Sequence, residues 1–535
     1  MALQQNSQKP FEESVNTSVK KMALGTMASR LMGLIRILLI GYALGIGRVG
    51  DAYNLANTTP NILHDLVLGG ILSATFIPIF TKKLSQLNKE QAWLEISSVI
   101  TLAGIILIGA TIFFEILAPE IINIYTIGTK TDFPPATKAL AVELLRFFLP
   151  QIMFYGFVAI SGALLNCIGK FSPITNSPIY GNIVAILMLL EVTLVSKTST
   201  AVPIAANNKL IFLLGIGTTA SIAVQFISIV PSLIKSNIPL RFNFNFKSSA
   251  IREIIHLSSW SFGFVIINQI ALFVILALTA SSAKGSVTAY TFAFTFFQLP
   301  YWLFAVSIAT AVAPKISRYF IGQQQSRTTN LVSGAIKSTI AIMLPISGFF
   351  LVISTPLITA LFFHGAASSS GVALTAKTLG MFSLGLVGYS IFMLSVRMLL
   401  AMHMAKKVFF LYLLENVINV ILAFLFINTM GVKGIALSIT VAYTAAAIVA
   451  IAYLNFKLGN IHILSLVKTF FKSLIIAAVI GVAAAIGSSA FPNTTFLNNV
   501  FDTFFGLIAA VVVLCGVGTL FSPKSTNIDR SSNKL

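Results

Sequence analysis

The sequence predicts an all-α, polytopic membrane protein of about fourteen transmembrane helices, organised as two six-helix repeats followed by two C-terminal helices. Three observations carry that prediction. The 535 residues are 56% hydrophobic and only 9% charged, whereas about a quarter of the residues of a soluble protein are charged. Apolar runs of roughly 20 residues, enough to cross about 30 Å of hydrocarbon, recur along nearly the whole length. The basic residues gather in alternate connections, as they do in a chain that crosses a bilayer repeatedly.

Cutting at charged residues and at Pro-, Gly- or Asn-bearing breaks places the spans near 26–46, 53–80, 96–118, 139–166, 177–196, 210–234, 254–280, 287–312, 331–354, 372–402, 408–427, 434–455, 470–490 and 500–521. With the N-terminus in the cytoplasm, about 22 Lys and Arg residues fall on the cytoplasmic side and about 8 outside. Both termini are therefore expected inside. The same asymmetry accounts for most of the net charge of +20 without any nucleic-acid partner. The first 22 or so residues are polar and show no cleavable signal peptide, so they read as a tail. Cys167 and Cys515 both lie in apolar runs and read as core packing.

A weak internal repeat is visible. The fourth span ends Ala163-Leu-Leu-Asn-Cys-Ile-Gly-Lys170 and the tenth ends Met398-Leu-Leu-Ala-Met-His-Met-Ala-Lys406, each leading through a short turn into another apolar helix. The chain then divides into a cytoplasmic tail (1–22), an N-lobe of spans one to six (23–240), a C-lobe of spans seven to twelve (241–457), an added helix pair (458–521) and a second cytoplasmic tail (522–535).

Catalytic signatures do not stand out. There is no Gly-rich phosphate loop ending in Lys-Ser or Lys-Thr, no His-Glu-x-x-His and no cysteine pair at metal spacing. The acids inside spans, Asp65, Glu143, Glu191 and Glu415, are scattered rather than clustered. A transporter with no cofactor is expected, not an enzyme. Five cations lie in spans or at their rims: Arg30, Arg36, Arg146, Lys337 and Arg397. Lys337 and Arg397 lie close enough to span ends to snorkel to water. Arg36 is near the middle of the first span, where an unpaired guanidinium costs several kcal/mol and so faces a partner or an aqueous cavity. Arg30 lies six residues earlier, about 240° round the helix, so the two share a wide cavity or only one lines it.

The first hairpin is the informative stretch. It reads Ser29-Arg-Leu-Met-Gly-Leu-Ile-Arg36, Gly47-Arg-Val-Gly-Asp-Ala-Tyr53, Asn57-Thr-Thr-Pro-Asn-Ile62 and Leu68-Gly-Gly-Ile-Leu-Ser-Ala-Thr-Phe-Ile-Pro78. In order and spacing these pieces resemble the opening of the MurJ (MviN) family of lipid II flippases, in the form typical of its Gram-positive branch. Leu145-Arg-Phe-Phe-Leu-Pro150, Gly162-Ala-Leu-Leu-Asn166, Asn268-Gln-Ile270, Gln298-Leu-Pro300 and Leu361-Phe-Phe-His-Gly365 extend the likeness over about the first 460 residues.

The resemblance implies the fourteen-helix fold of multidrug and oligosaccharide exporters, with a cationic cavity that opens alternately to the two sides of a bacterial cytoplasmic membrane. It implies as substrate the undecaprenyl-pyrophosphate-linked peptidoglycan precursor, and as surroundings membrane lipids and the cell-wall synthesis machinery. Guanidinium groups match phosphate oxygens bidentately, which suits Arg30 and Arg36 to the pyrophosphate. By the same resemblance Asp51, Asn61, His64 and Gln298 join the substrate-binding set. For Asp51 the alternatives are gating, pairing with an arginine, or capping the second helix. Many family members carry further arginines where this chain has His64 and Thr295. The resemblance also leaves coupling to membrane potential or sodium open, with Glu415 and Asn419, four apart on one helix face, as cation ligands. A drug or polysaccharide-repeat exporter of the same superfamily, and a membrane scaffold retaining the fold, are the alternative functions.

Overall fold

The computed structural model describes residues 25–127, 133–198 and 207–488, with four positions between 503 and 508. Among the described residues every regular element is helical, as the periodicity requires. In chain order these are α1 (Gly25–Leu44), then α2 (Arg48–His64), α3 (Gly70–Gln86), α4 (Lys89–Ile116), α5 (Ala118–Thr126), α6 (Pro135–Phe148), α7 (Gln151–Cys167), α8 (Ser172–Thr198), α9 (Asn208–Ile227) and α10 (Val230–Ile234). They continue as α11 (Ser249–Ala280), α12 (Ser286–Pro300), α13 (Val306–Ile321), α14 (Gln325–Phe362), α15 (Ser369–Leu384), α16 (Leu386–Ala401), α17 (Ala405–Met430), α18 (Val432–Leu458) and α19 (Ile463–Ser488). Eleven of the described helices are long and apolar enough to cross a membrane, or up to 12 when α15 and α16, bent by 55° at Gly385, count as one. The chain is thus a multi-pass membrane protein.

The expected second span, 53–80, lies in a helical run from Arg48 to Gln86 that is interrupted by a π-helical turn at Asp65–Gly69. The expected fourteenth, 500–521, lies almost wholly outside the described residues. Helix starts follow local chemistry. The Asn88 side chain accepts from the Gln91 N–H at the head of α4, and Asn207 accepts from the Lys209 and Leu210 N–H groups at the head of α9. The two sequences that suggested a repeat both carry a left-handed residue just beyond their helix, Gly169 (φ 76°) after α7 and His403 (φ 60°) after α16. A second π turn, Tyr301–Ala305, follows the 15 residues of α12, much as the first follows the 17 of α2.

The chain forms two compact units. One comprises Met1–Phe292, His364–Thr375 and His403–Ala442, the other Ala293–Phe363, Ala376–Met402 and Tyr443–Leu535. In the first, α2 packs on α6, α8 on α9, and α11 on both α3 and α17. Where α3, α4 and α11 meet, Lys82 bonds Glu253 while Lys83 lies 3.0 Å from Glu95. In the second unit α14 packs on α16 and α19. The α14–α19 contact is close because Gly348 lets the helices approach: a Cβ there would lie 2.8 Å from the Ala477 carbonyl. Small residues serve this purpose in membranes, where helices are held by packing rather than by exclusion from water.

Candidate functional site

The first unit contains a partly open cavity of about 550 Å³, lined among others by His64, Asp65, Asn166, Asn268, Gln269 and Tyr412. Six helices, α2, α3, α7, α8, α11 and α17, contribute to its wall together with the π turn. The polar groups are tied into a chain. His64 Nδ1 lies 3.1 Å from Asp65 Oδ1, and Gln269 Nε2 donates to Asp65 Oδ2 at 2.7 Å. Asp65 thus joins α2 to α11 across 204 positions of sequence. It begins the π turn, and such turns concentrate at functional sites because they break the regular hydrogen-bond ladder.

Arg36 is not one of the residues that line this cavity. Its charge acts on the Tyr53 and Tyr155 hydroxyls. The Tyr155 ring lies 6.0 Å from that of His64, and its hydroxyl is within hydrogen-bonding reach of Asn61 and donates to Gln151 Oε1 at 3.3 Å. Tyr53 is held by Thr218 at 3.1 Å. Two nitrogens in this group are buried with no hydrogen-bond partner, Arg36 Nε and His64 Nε2. Buried polar atoms in folded proteins are nearly always paired, so orphaned ones concentrate where a ligand arrives.

The residues named from sequence therefore separate. Arg36, Asn61 and His64 belong to one polar group. Arg30 is an exposed residue of α1. Asp51 is elsewhere: it is 1% exposed and accepts from the Gly285 N–H at 2.7 Å, the Thr288 N–H at 2.9 Å and the Thr288 hydroxyl at 3.0 Å. It caps a helix, but that helix is α12; the N-cap of α2 is Gly47, with no side-chain bond. Asp51 also feels the charge of Arg48. Around it the backbone packs tightly. Gly45 (φ 71°) brings its Cα so near the Ala366 carbonyl that a Cβ would lie 2.3 Å from the oxygen. The Ala366 N–H donates to the Tyr42 carbonyl at 2.9 Å.

Gln298 belongs to the second unit, where its Nε2 donates to the Tyr389 hydroxyl at 2.9 Å. Glu415 and Asn419 lie on α17, both buried. Asn419 Oδ1 accepts from the Ser438 hydroxyl at 2.9 Å, and both Glu415 carboxylate oxygens are buried without a hydrogen-bond partner. Sequence reasoning missed Tyr155, which carries no motif, and the role of Asp65 and Gln269. Asp65 had a signal, since an acid inside a span marks a functional position by default.

A many-helix membrane bundle with an internal cavity, walled in part by a tied polar chain, is the architecture of a membrane transporter. Comparison with known proteins narrows the class. The family model for the lipid II flippase MurJ matches residues 40–506, and the chain belongs to that family. It is 28% identical to the lipid II flippase MurJ of Thermosipho africanus over 461 residues, 86% of this chain and 89% of that one. Among solved structures it is similar to a lipid II flippase MurJ in an inward closed conformation, with TM-score 0.74, 26% identity and coverage of 93% of this chain and 98% of the other. An inward-facing multidrug resistance transporter of the MATE family and MOP superfamily shares the fold, with TM-score 0.64, 16% identity and coverage of 84% and 99%.

Proposed function

We propose that the chain moves lipid II, the polyprenyl-pyrophosphate-linked peptidoglycan precursor, across the bacterial cytoplasmic membrane by alternating access. The observation that carries this reading is the cavity walled in part by the linked His64, Asp65 and Gln269, inside a member of the lipid II flippase family. A charged headgroup cannot cross about 30 Å of hydrocarbon unassisted. A walled cavity with donors to spare offers it a polar path while the apolar tail stays in lipid. Arg36 takes the pyrophosphate with its guanidinium, whose Nε is buried without a partner, Arg30 meets it at the end of α1, and Asn61 and His64 bind the remaining polar groups. Gln298 serves the second unit in the same way. Asp51 acts as a closure, since its three hydrogen bonds join the hairpin turn to the head of α12.

Both termini face the cytoplasm in this reading, supported by the distribution of basic residues. Membrane potential or sodium drives transport, with Glu415 and Asn419 as cation ligands. Glu415 supports this role because its two buried oxygens have no other partner. The cell-wall synthesis machinery is the expected consumer of the product.

The test is depletion of the protein in its own host. Lipid II should become inaccessible from outside, and Arg36→Ala should fail to restore it. If lipid II stays equally accessible after depletion, or Arg36→Ala complements fully, the flippase reading fails. Altered drug efflux with normal wall synthesis would point to an exporter instead.

A further inference from the structure

The connection between α10 and α11 reads from its charges as an aqueous loop, since Lys235, Arg241 and Lys247 stand in it. Its backbone is nonetheless held against a membrane-spanning helix. The non-helical stretch 238–247 lies along the first turns of α4. The Arg241 N–H donates to Ser97 Oγ at 3.3 Å and the Asn243 N–H to Thr101 Oγ1 at 3.2 Å. Asn243 Nδ2 donates to the Leu94 carbonyl at 2.9 Å and to Ser98 Oγ at 3.1 Å. The chain then turns back toward the head of α4, where the Ser249 hydroxyl donates to Glu95 at 2.7 Å. Ser97, Ser98 and Thr101 fall inside the apolar span expected at 96–118.

The face of α4 that carries these hydroxyls is informative. Leu94, Ser98, Thr101, Ile105, Ile108 and Ile112 recur every three or four residues and so form one stripe. Its far part is bare, with Ile105 and Ile108 each 47% exposed and Ile112 58% exposed. On a membrane-spanning helix a bare isoleucine stripe faces lipid. Its near part is polar and covered, Ser98 and Thr101 both being buried under the connecting segment. The segment therefore lies on the lipid side of α4. In an extended segment alternate residues point to opposite sides. Asn243 turns inward, and Phe242, Phe244 and Phe246 are 89%, 66% and 43% exposed.

We propose that residues 238–247 form a strap inserted into the bilayer leaflet at the Lys89 end of α4, with Phe242, Phe244 and Phe246 among the acyl chains. Arg241 and Lys247 bracket the phenylalanines and reach back to the phosphate level, as long cationic side chains do at an interface. Backbone that leaves water needs partners for its donors, and several of the strap's have them within the protein. The α4 hydroxyls serve Arg241 and Asn243, the Asn243 side chain the Asn245 N–H at 3.1 Å, and the Phe244 carbonyl the Phe246 N–H at 2.9 Å. Beside the strap a cavity of about 640 Å³ is lined by Lys89, Trp93, Ile238 and Arg241. Tryptophan with basic residues is the composition found at headgroup depth. The inference rests on the chain's being a membrane protein and is independent of its substrate.

Spin-label accessibility in proteoliposomes tests it. In a Cys167→Ala, Cys515→Ala background, single labels are placed by Phe244→Cys, by Ile108→Cys as a lipid reference and by Asn88→Cys as a water reference. The Phe244→Cys label should favour oxygen over a water-soluble nickel chelate as the Ile108→Cys label does, several-fold above Asn88→Cys. A water-like ratio would overturn the proposal, and so would exclusion of both reagents, which would mean that protein covers the segment. Should the label disturb the strap, Phe244→Trp with Trp93, Trp260 and Trp302 changed to Phe gives a second reading. Its fluorescence should be quenched by phospholipids brominated along the acyl chain, and absence of quenching would equally refute insertion.

Discussion

The two ends of one short stretch of the first hairpin are built to opposite standards. At residues 45–51 both oxygens of the Asp51 carboxylate accept hydrogen bonds, and the surrounding backbone is packed so closely that Gly45 has no room for a Cβ. Some ten residues on, around Asn61 and His64, the packing opens into a cavity and leaves Arg36 Nε and His64 Nε2 buried without partners. Both regions are polar and both lie in the same unit. The first spends its carboxylate on holding itself together and leaves Arg48 Nη1 buried without a partner, whereas the second leaves an unpartnered nitrogen, His64 Nε2, on the wall of a cavity. Neither polarity nor an unpaired group by itself marks a candidate binding site within a membrane bundle; an unpaired group on a cavity wall does.

Substitutions can break this contrast. The largest effect is expected from Arg36→Ala, with transport lost in a complementation assay while the purified protein melts close to the wild type. Lost transport together with a large drop in melting temperature would make Arg36 structural and erase the distinction. Asp51→Ala comes next, in stability. It strands three donors, each worth about 1–3 kcal/mol when buried and unpaired, and should lower the melting temperature in detergent clearly. Gly45→Ala follows, because a left-handed conformation costs a residue with a Cβ about 1–2 kcal/mol before any clash with Ala366 is counted. A neutral Gly45→Ala would show that the junction is looser than its geometry. The smallest effect is expected from Tyr53→Phe, which removes the bond to Thr218 for about 0.5–1.5 kcal/mol and should leave transport nearly intact.

The architecture was largely legible because hydrocarbon imposes length and composition on every span, so the helices beginning at Lys89, Asn208 and Ala405 lie close to where the apolar runs put them. The π turns left no trace in the pattern, since a single surplus residue changes no composition. The hold of α4 on the α10–α11 connection left no trace either, because the hydroxyls that accept from the Arg241 and Asn243 N–H groups belong to a helix far away in sequence. In the candidate site Arg36 and His64 could be picked out because charged and titratable residues are costly in spans. The bond from Gln269 to Asp65 could not, because nothing local announces a partner 204 positions away. Tyr155 is chemically ordinary and acquires its place only from packing.

The π turn at Asp65–Gly69 has a consequence for both ends of its helix. It accommodates one residue more than an α-helical turn, so the segment beyond it is rotated by about 100° relative to an unbroken helix. On one side Asp51 is aimed at the head of α12; on the other Lys82 and Lys83 are aimed at Glu253 and Glu95. Without the surplus residue one of these ends would point about a quarter-turn or more away from its partners. The helix thus works as a key cut on two sides, with the phase between the cuts set by a single inserted residue.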